Sequence, residues 1–307
     1  MRSARLLTRM VAICAVMLVA AGCSGSAPQR DGQRAAAGSQ PPGPRYYLSL
    51  GDSLALGVQP TVSGASLPTS SGYPNRIYSV LRAADPDWRL VKLGCSGETT
   101  HTMIHGGICR YPAGSQLAQA EQFLREHRGH VGLVTIDIGA NDPNSCIIGN
   151  VPLSKITACM GNSIDETTSD LRTIMGGLRS AAGPDVKILA MSYYVPELAG
   201  WFDGMAGKEI AVLTERLVAS YNRLLDAIYH HYGAQVANVF GAFHSSDFTD
   251  KVRLGRLGLV PRNVATICEW TWSCAQSPRG PNEHANDTGY GVIALAFLLA
   301  DPQLTSG

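Results

Sequence analysis

Short apolar runs alternate with helical stretches along most of this chain, and that alternation limits its fold more than any other feature. Tyr46 to Leu50, Leu90 to Leu93, Val131 to Ile138, Val186 to Met191 and Gln235 to Phe240 read as strands. Tyr73 to Ala83, Ser115 to Arg128, Ser163 to Ala181, Gly207 to Tyr232 and Gly289 to Ala300 read as helices. In the fourth of these, Ile210, Leu213, Leu217, Tyr221, Leu224, Leu225 and Ile228 recur at three- and four-residue steps, which predicts one buried helical face. Strand–helix alternation of this kind predicts a parallel sheet of about five strands with helices on both faces, a three-layer α/β/α domain. The carboxyl ends of such strands share one edge, where ligands bind. Ser53, the Gly94–Gly97 turn and the Gly139–Asp142 stretch all fall on that edge.

The N-terminus reads as a targeting segment. Arg2, Arg5 and Arg9 precede an apolar run, Met10 to Ala21, that is short for a membrane span. The run closes on Val19-Ala20-Ala21-Gly22-Cys23, which resembles a bacterial lipoprotein signal with Cys23 as the lipidated residue; ordinary secretion is the alternative. Residues 1–22 are thus the expected signal peptide, 23–44 a lipid-attachment cysteine with a Ser-, Gly-, Ala-, Gln- and Pro-rich tether, and 45–307 the folded domain. Removing the three arginines leaves 25 − 3 = 22 basic against 24 acidic residues, a formal charge of −2. No basic face suggests a nucleic-acid partner. The expected protein is a monomer anchored outside the cell membrane, or secreted, that meets the membrane only through its anchor.

Eight cysteines are present. Cys14 leaves with the signal and Cys23 carries lipid, so six remain. An even number in an exported chain favours disulfides. The pairing suggested is local, Cys95–Cys109, Cys146–Cys159 and Cys268–Cys274, each closing one loop between regular segments. No C-x-x-C spacing supports a metal, and no cofactor is expected. His101 and His105 have helical ligand spacing without an evident third partner and read as loop residues. His230 and His231 fall near a helix end, where a cation suits the dipole.

Four stretches carry the chemistry: Gly51-Asp52-Ser53-Leu54, Gly94-Cys95-Ser96-Gly97-Glu98-Thr99-Thr100, Gly139-Ala140-Asn141-Asp142 and His284-Ala285-Asn286-Asp287-Thr288-Gly289-Tyr290. Their order, at successive strand ends and before the last helix, resembles the GDSL, or SGNH, hydrolase family over roughly Tyr46 to Ala300. The Ser-x-Gly-x-Thr-Thr run and the local disulfides are similar to its secreted actinobacterial lipases and esterases. The resemblance implies the flavodoxin-like SGNH hydrolase fold and a serine carboxylic ester hydrolase acting on acyl lipids or acylated glycans.

The residues can be read the same way chemically. Ester hydrolysis needs a nucleophile, a base and donors for an oxyanion. Ser53 can attack and His284 can take and return its proton. The Ser53 amide, the Gly97 amide and the Asn141 side chain can donate to the oxyanion. Asp52 reads as a structural hydrogen-bonder rather than an acid. The α/β-hydrolase elbow G-x-S-x-G fits less well, because Ala55 holds the last glycine's place and Ser53 follows the first strand.

The sequence departs from the family at two places. Pro281 stands where many members carry the triad's Asp, and Ala285 replaces the proline after the histidine. The expectation is a Ser53–His284 dyad, with a main-chain carbonyl at or beside Pro281 accepting from His284 Nδ1. Asp247 and Asp250 are the carboxylates to check against it. Trp270 and Trp272, in the Cys268–Cys274 loop, could line a substrate site or simply pack against the disulfide. A cell-envelope acyltransferase or polysaccharide deacetylase would use the same residues. A solute-binding lipoprotein would share the signal, the cysteine and the tether, but would have two lobes and tolerate Ser53→Ala.

Overall fold

Residues 43–143 and 153–305 are described by a computed structural model. The expected signal, Cys23, the tether up to residue 42 and Cys146 lie outside the described residues, and the Cys146–Cys159 pairing with them. The described chain begins with β1 (Arg45–Gly51) and α1 (Ser53–Leu56), then a hairpin of β2 (Gln59–Pro60) and β3 (Ser66–Leu67). α2 (Tyr73–Ala84), β4 (Trp88–Lys92), α3 (Thr100–His105), α4 (Gln116–Glu126), β5 (Val131–Asp137) and α5 (Leu153–Ala182) follow. Next come β6 (Lys187–Met191), α6 (Gly204–His231), β7 (Gln235–Ala237) and α7 (Val239–Ala242). A second hairpin, β8 (Lys251–Arg253) with β9 (Leu259–Pro261), precedes α8 (Arg262–Trp270) and α9 (Asp287–Ala300).

β1, β4, β5, β6 and β7 form one parallel sheet in the order β4-β1-β5-β6-β7. That is the flavodoxin-like order, with β1 between β4 and β5 at the switch point where ligands bind. Helices α4, α5 and α6 pack together, and α2 packs with α9, as right-handed crossovers require of a sheet covered on both faces. Tyr47, Leu48 and Leu50 of β1 and Leu133, Val134 and Ile136 of β5 are fully buried. Each such side chain contributes about 1.5–3 kcal/mol on leaving water. The register sets Gly51 beside Asp137.

Two expectations are corrected. The fifth strand ends at Ala237 rather than Phe240, because Asn238 turns the chain: its Oδ1 accepts from Gly241 N at 2.8 Å and caps α7. Ile210, Leu213, Leu217 and Leu224 are exposed, at 47–58 %. The face α6 buries runs instead through Gly207, Ala211, Glu215, Asn222, Leu225, Ile228 and Tyr229. Small residues win there because Gly207 lies directly on Gly200, in the 3-10 segment Pro196–Phe202, where a Cβ would sit 2.1 Å from the Gly200 oxygen. Asn222 exchanges two hydrogen bonds with the Tyr193 backbone, so a polar residue belongs in that face.

Two of the expected disulfides are present. Cys95–Cys109 spans 14 residues and Cys268–Cys274 spans 6. No helix among the described residues is long and apolar enough to cross a membrane.

Candidate active site

Ser53 sits at the first position of α1, straight after β1. Gly51 makes that turn possible. Its φ is +130°, and a Cβ there would lie 2.2 Å from the Asp137 carbonyl oxygen and 2.5 Å from its carboxyl. Gln116 of α4 clasps the same peptide, donating from Nε2 to the Gly51 carbonyl (3.0 Å) and accepting at Oε1 from the Gly51 amide (2.7 Å). Asp52, 1 % exposed, caps α1 by accepting from Leu54 N at 2.9 Å. Burial pushes its carboxyl up to about 6, against hydrogen bonds that favour the anion.

The loop after β4 brings Gly97 to the same edge. Its φ is +80°, and no atom lies within 4 Å of where a Cβ would be, so its surroundings are open. Cys95, in the same loop, is tied to β1 by its amide bond to the Gly51 carbonyl (3.0 Å). Asn141 follows β5, and its Nδ2 donates to the Glu98 carbonyl (3.0 Å) and to Asp52 Oδ2 (3.4 Å). Asp142 accepts from the Thr100 amide at 3.1 Å and from its hydroxyl. A cleft of about 540 Å³ opens beside Thr99 and Asp142, lined further by His101, Asn162, Ser163 and Glu166.

His284 is 6 % exposed. Asn282 Oδ1 lies 2.8 Å from its Nδ1 and 3.1 Å from its backbone N. A backbone N–H can only donate, so the atom facing both nitrogens is the amide oxygen. Nδ1 therefore carries the proton, and Nε2 keeps its lone pair. Asn282 is itself fixed, donating to the Trp272 carbonyl (3.1 Å) from its backbone and to Ser66 Oγ (3.0 Å) from Nδ2. The acceptor is thus a side-chain carbonyl one residue beyond Pro281, rather than the main-chain carbonyl expected there. An Asn two residues before His284 was the available signal, since Asn side chains reach the backbone two residues on.

Among the described residues, no carboxylate takes that place. Glu283 Oε1 is 3.8 Å from Nδ1, on a side chain 69 % exposed. Asp247 and Asp250 both pair with Arg262, at 3.2 and 3.0 Å. Burial lowers the His284 pKa below 6.5, and the Glu283 charge partly opposes this.

The His284 loop and the start of α9 are stitched to the segment that follows Ser53. Tyr290 donates to the Val58 carbonyl (2.8 Å), Trp272 Nε1 to Gln59 Oε1 (3.1 Å), and Gln59 Nε2 to Asp287 (2.9 Å). Trp272 also carries Arg279 over its ring, and Trp270 packs edge-on against Phe243. Both tryptophans thus have packing roles. His101 and His105 are on α3, not in a loop, with rings 4.5 Å apart. His230 and His231 close α6.

The model of the GDSL-like lipase/acylhydrolase family matches residues 49–291, and the chain belongs to that family of carboxylic ester hydrolases. No curated protein matches the sequence. Among solved structures, the acetylxylan esterase Axe2 from Geobacillus stearothermophilus is similar at 20 % identity, with a TM-score of 0.49, covering 84 % of this chain and 94 % of that one. LAE5, an alpha/beta hydrolase enzyme from the metagenome of Lake Arreo, Spain, is similar at 18 % identity, with a TM-score of 0.48, covering 85 % and 97 %.

Proposed function

We propose that the chain is an exported serine esterase working through a Ser53 acyl-enzyme, with His284 as its proton carrier. The observation that carries this reading is the commitment of His284 Nδ1 to Asn282 Oδ1 at 2.8 Å, which leaves Nε2 as the basic nitrogen. His284 Nε2 takes the Ser53 hydroxyl proton as Oγ attacks the ester carbonyl carbon. The carbonyl π electrons move to oxygen, and that oxyanion is stabilised by the Ser53 amide, the Gly97 amide and Asn141 Nδ2, which exchanges its long 3.4 Å bond to Asp52 for one to the oxyanion. Collapse expels the alcohol, which takes its proton from Nε2. Water then attacks the acyl-enzyme by the same steps and releases the acid.

Several features support the details. Asn141 is pre-aimed by its bond to the Glu98 carbonyl. Residues 1–22 serve as the signal and Cys23 as the lipid attachment. The decisive experiment is Ser53→Ala, assayed with p-nitrophenyl esters. The folded variant should lose all but the residual catalysis of about 10³–10⁴ over water that such sites retain. Turnover near that of the parent would refute the reading. Mass spectrometry of the mature N-terminus tests the anchor.

A further inference from the structure

Asp137 is a buried carboxyl that the mechanism above does not use. It ends β5 with no exposure, pressed against the backbone where Gly51 lacks a Cβ. Tyr73 of α2 donates its hydroxyl to Oδ1 at 2.5 Å. No N–H or hydroxyl donor reaches Oδ2. The Asp137 carboxyl is also hydrogen-bonded to the carboxyl of Asp52.

A hydrogen bond between two carboxyls requires a proton on one of them, and two carboxylates in contact cannot both ionise. The donors decide which one is charged. Asp52 accepts from Leu54 N and from Asn141 Nδ2, both N–H donors, as an anion should. Asp137 accepts the Tyr73 hydroxyl and a single N–H, that of the Asp52 backbone, and its Oδ2 is unsatisfied unless it carries the proton itself. Burial and the neighbouring Asp52 both push the Asp137 carboxyl well above the carboxylate range.

The groups that face the pair do not alter this. Tyr47 on β1, Tyr73 on α2, Tyr193 after β6, Tyr229 on α6 and Tyr290 on α9 are all held neutral by burial. Asp142 adds negative charge, which opposes a second ionisation. Lys92 on β4 is the cation that senses Asp137, and its ammonium is already bonded to the Leu56 carbonyl (3.0 Å) and Asn75 Oδ1 (3.1 Å).

We infer that Asp137 is a protonated positioning residue that donates to Asp52, so that Asp52 stays the anion that caps α1 under Ser53 and accepts from Asn141. The one proton is shared by the pair and is not consumed in the reaction. The inference rests on the proposed serine mechanism for its kinetic arm only.

Difference infrared spectroscopy between the parent and Asp137→Asn tests the proton directly. At about pH 8, far above the ordinary Asp value, the parent should show a protonated-carboxyl C=O stretch that shifts in D₂O and is missing from Asp137→Asn. Absence of that band would overturn the inference, whatever the enzyme's activity. Kinetics test the role. Asp137→Ala should lower kcat about 10–100-fold, the usual effect of losing a supporting partner, with KM little changed. Asp137→Asn should recover most of the loss, because its amide can donate to Asp52 while its carbonyl accepts from Tyr73. An Asn variant as impaired as the Ala variant would show that Asp137 is needed as an anion. If the Ala variant does not fold, the infrared band and the kcat of Asp137→Asn against the parent decide the matter.

Discussion

Asn282 offers the sharpest perturbation, because one oxygen holds both nitrogens of His284 that it can reach. Asn282→Ala removes the acceptor of a buried Nδ1–H. An unsatisfied buried donor costs about 1–3 kcal/mol, which is about 5- to 150-fold in kcat/KM if the cost falls on the catalytic tautomer. Asn282→Asp puts a carboxylate in the same place. A charge-assisted bond is roughly twice as strong as a neutral one, a gain of about 1 kcal/mol for the imidazolium. That is somewhat under one pH unit at 1.36 kcal/mol per unit. Burial lowers the His284 pKa in the parent, so its acidic limb should lie below 6.5. The Asp variant raises that pKa, so the limb moves to higher pH and activity on the acid side falls. The plateau above the limb should rise, because the transition state carries the imidazolium. The assay is kcat/KM against pH with a short-chain p-nitrophenyl ester. An Ala variant with the parent's profile, or an Asp variant whose limb stays in place, would refute the argument that Asn282 orients His284.

Two further outcomes follow from the geometry. Asn141→Ala should lower kcat about 10²–10³-fold with little change in KM, since its amide acts on charge that develops only in the transition state; steady-state kinetics on the folded variant check this. Gly51→Ala should destabilise the fold by at least about 3 kcal/mol, from left-handed backbone strain and overpacking together. Its Cβ would meet the Asp137 carbonyl at 2.2 Å, and urea unfolding measures the loss.

Much of the frame was legible because it depends on local pattern. The runs around Leu48, Val134 and Leu189 are long, apolar and rich in branched residues, and each is a strand of the parallel sheet. Gly51-Asp52-Ser53 was recognisable because a strand end, a glycine and a capping carboxylate leave few other conformations. What was not legible depends on partners. The α6 stripe follows perfect helical spacing, yet which face is buried is decided by Gly200 and Tyr193, which no periodicity within α6 reveals. Asn282 was hidden because a side-chain carbonyl can do the work of a backbone one, and Pro281 drew attention to the backbone. Asp137 was hidden inside an apolar strand, where a protonated carboxyl reads like any other interior residue.

The stitches from the His284 loop and the start of α9 to the segment after Ser53 join positions far apart in the chain; Tyr290 and Val58 are 232 residues apart, and Trp272 and Gln59 are 213. Synthesis runs from the N-terminus, so the Ser53 turn and its sheet neighbours exist long before their base does. Contacts of such separation are among the last that a chain can form, because the intervening loop must first be closed by everything between. A nascent or C-terminally clipped form would carry the proposed nucleophile without its proposed proton acceptor. Loss of the residues after Trp270 would also strip α9, with its buried Tyr290, Ile293 and Phe297, from the sheet, so the proposed base and one cover of the sheet depend on the same last segment.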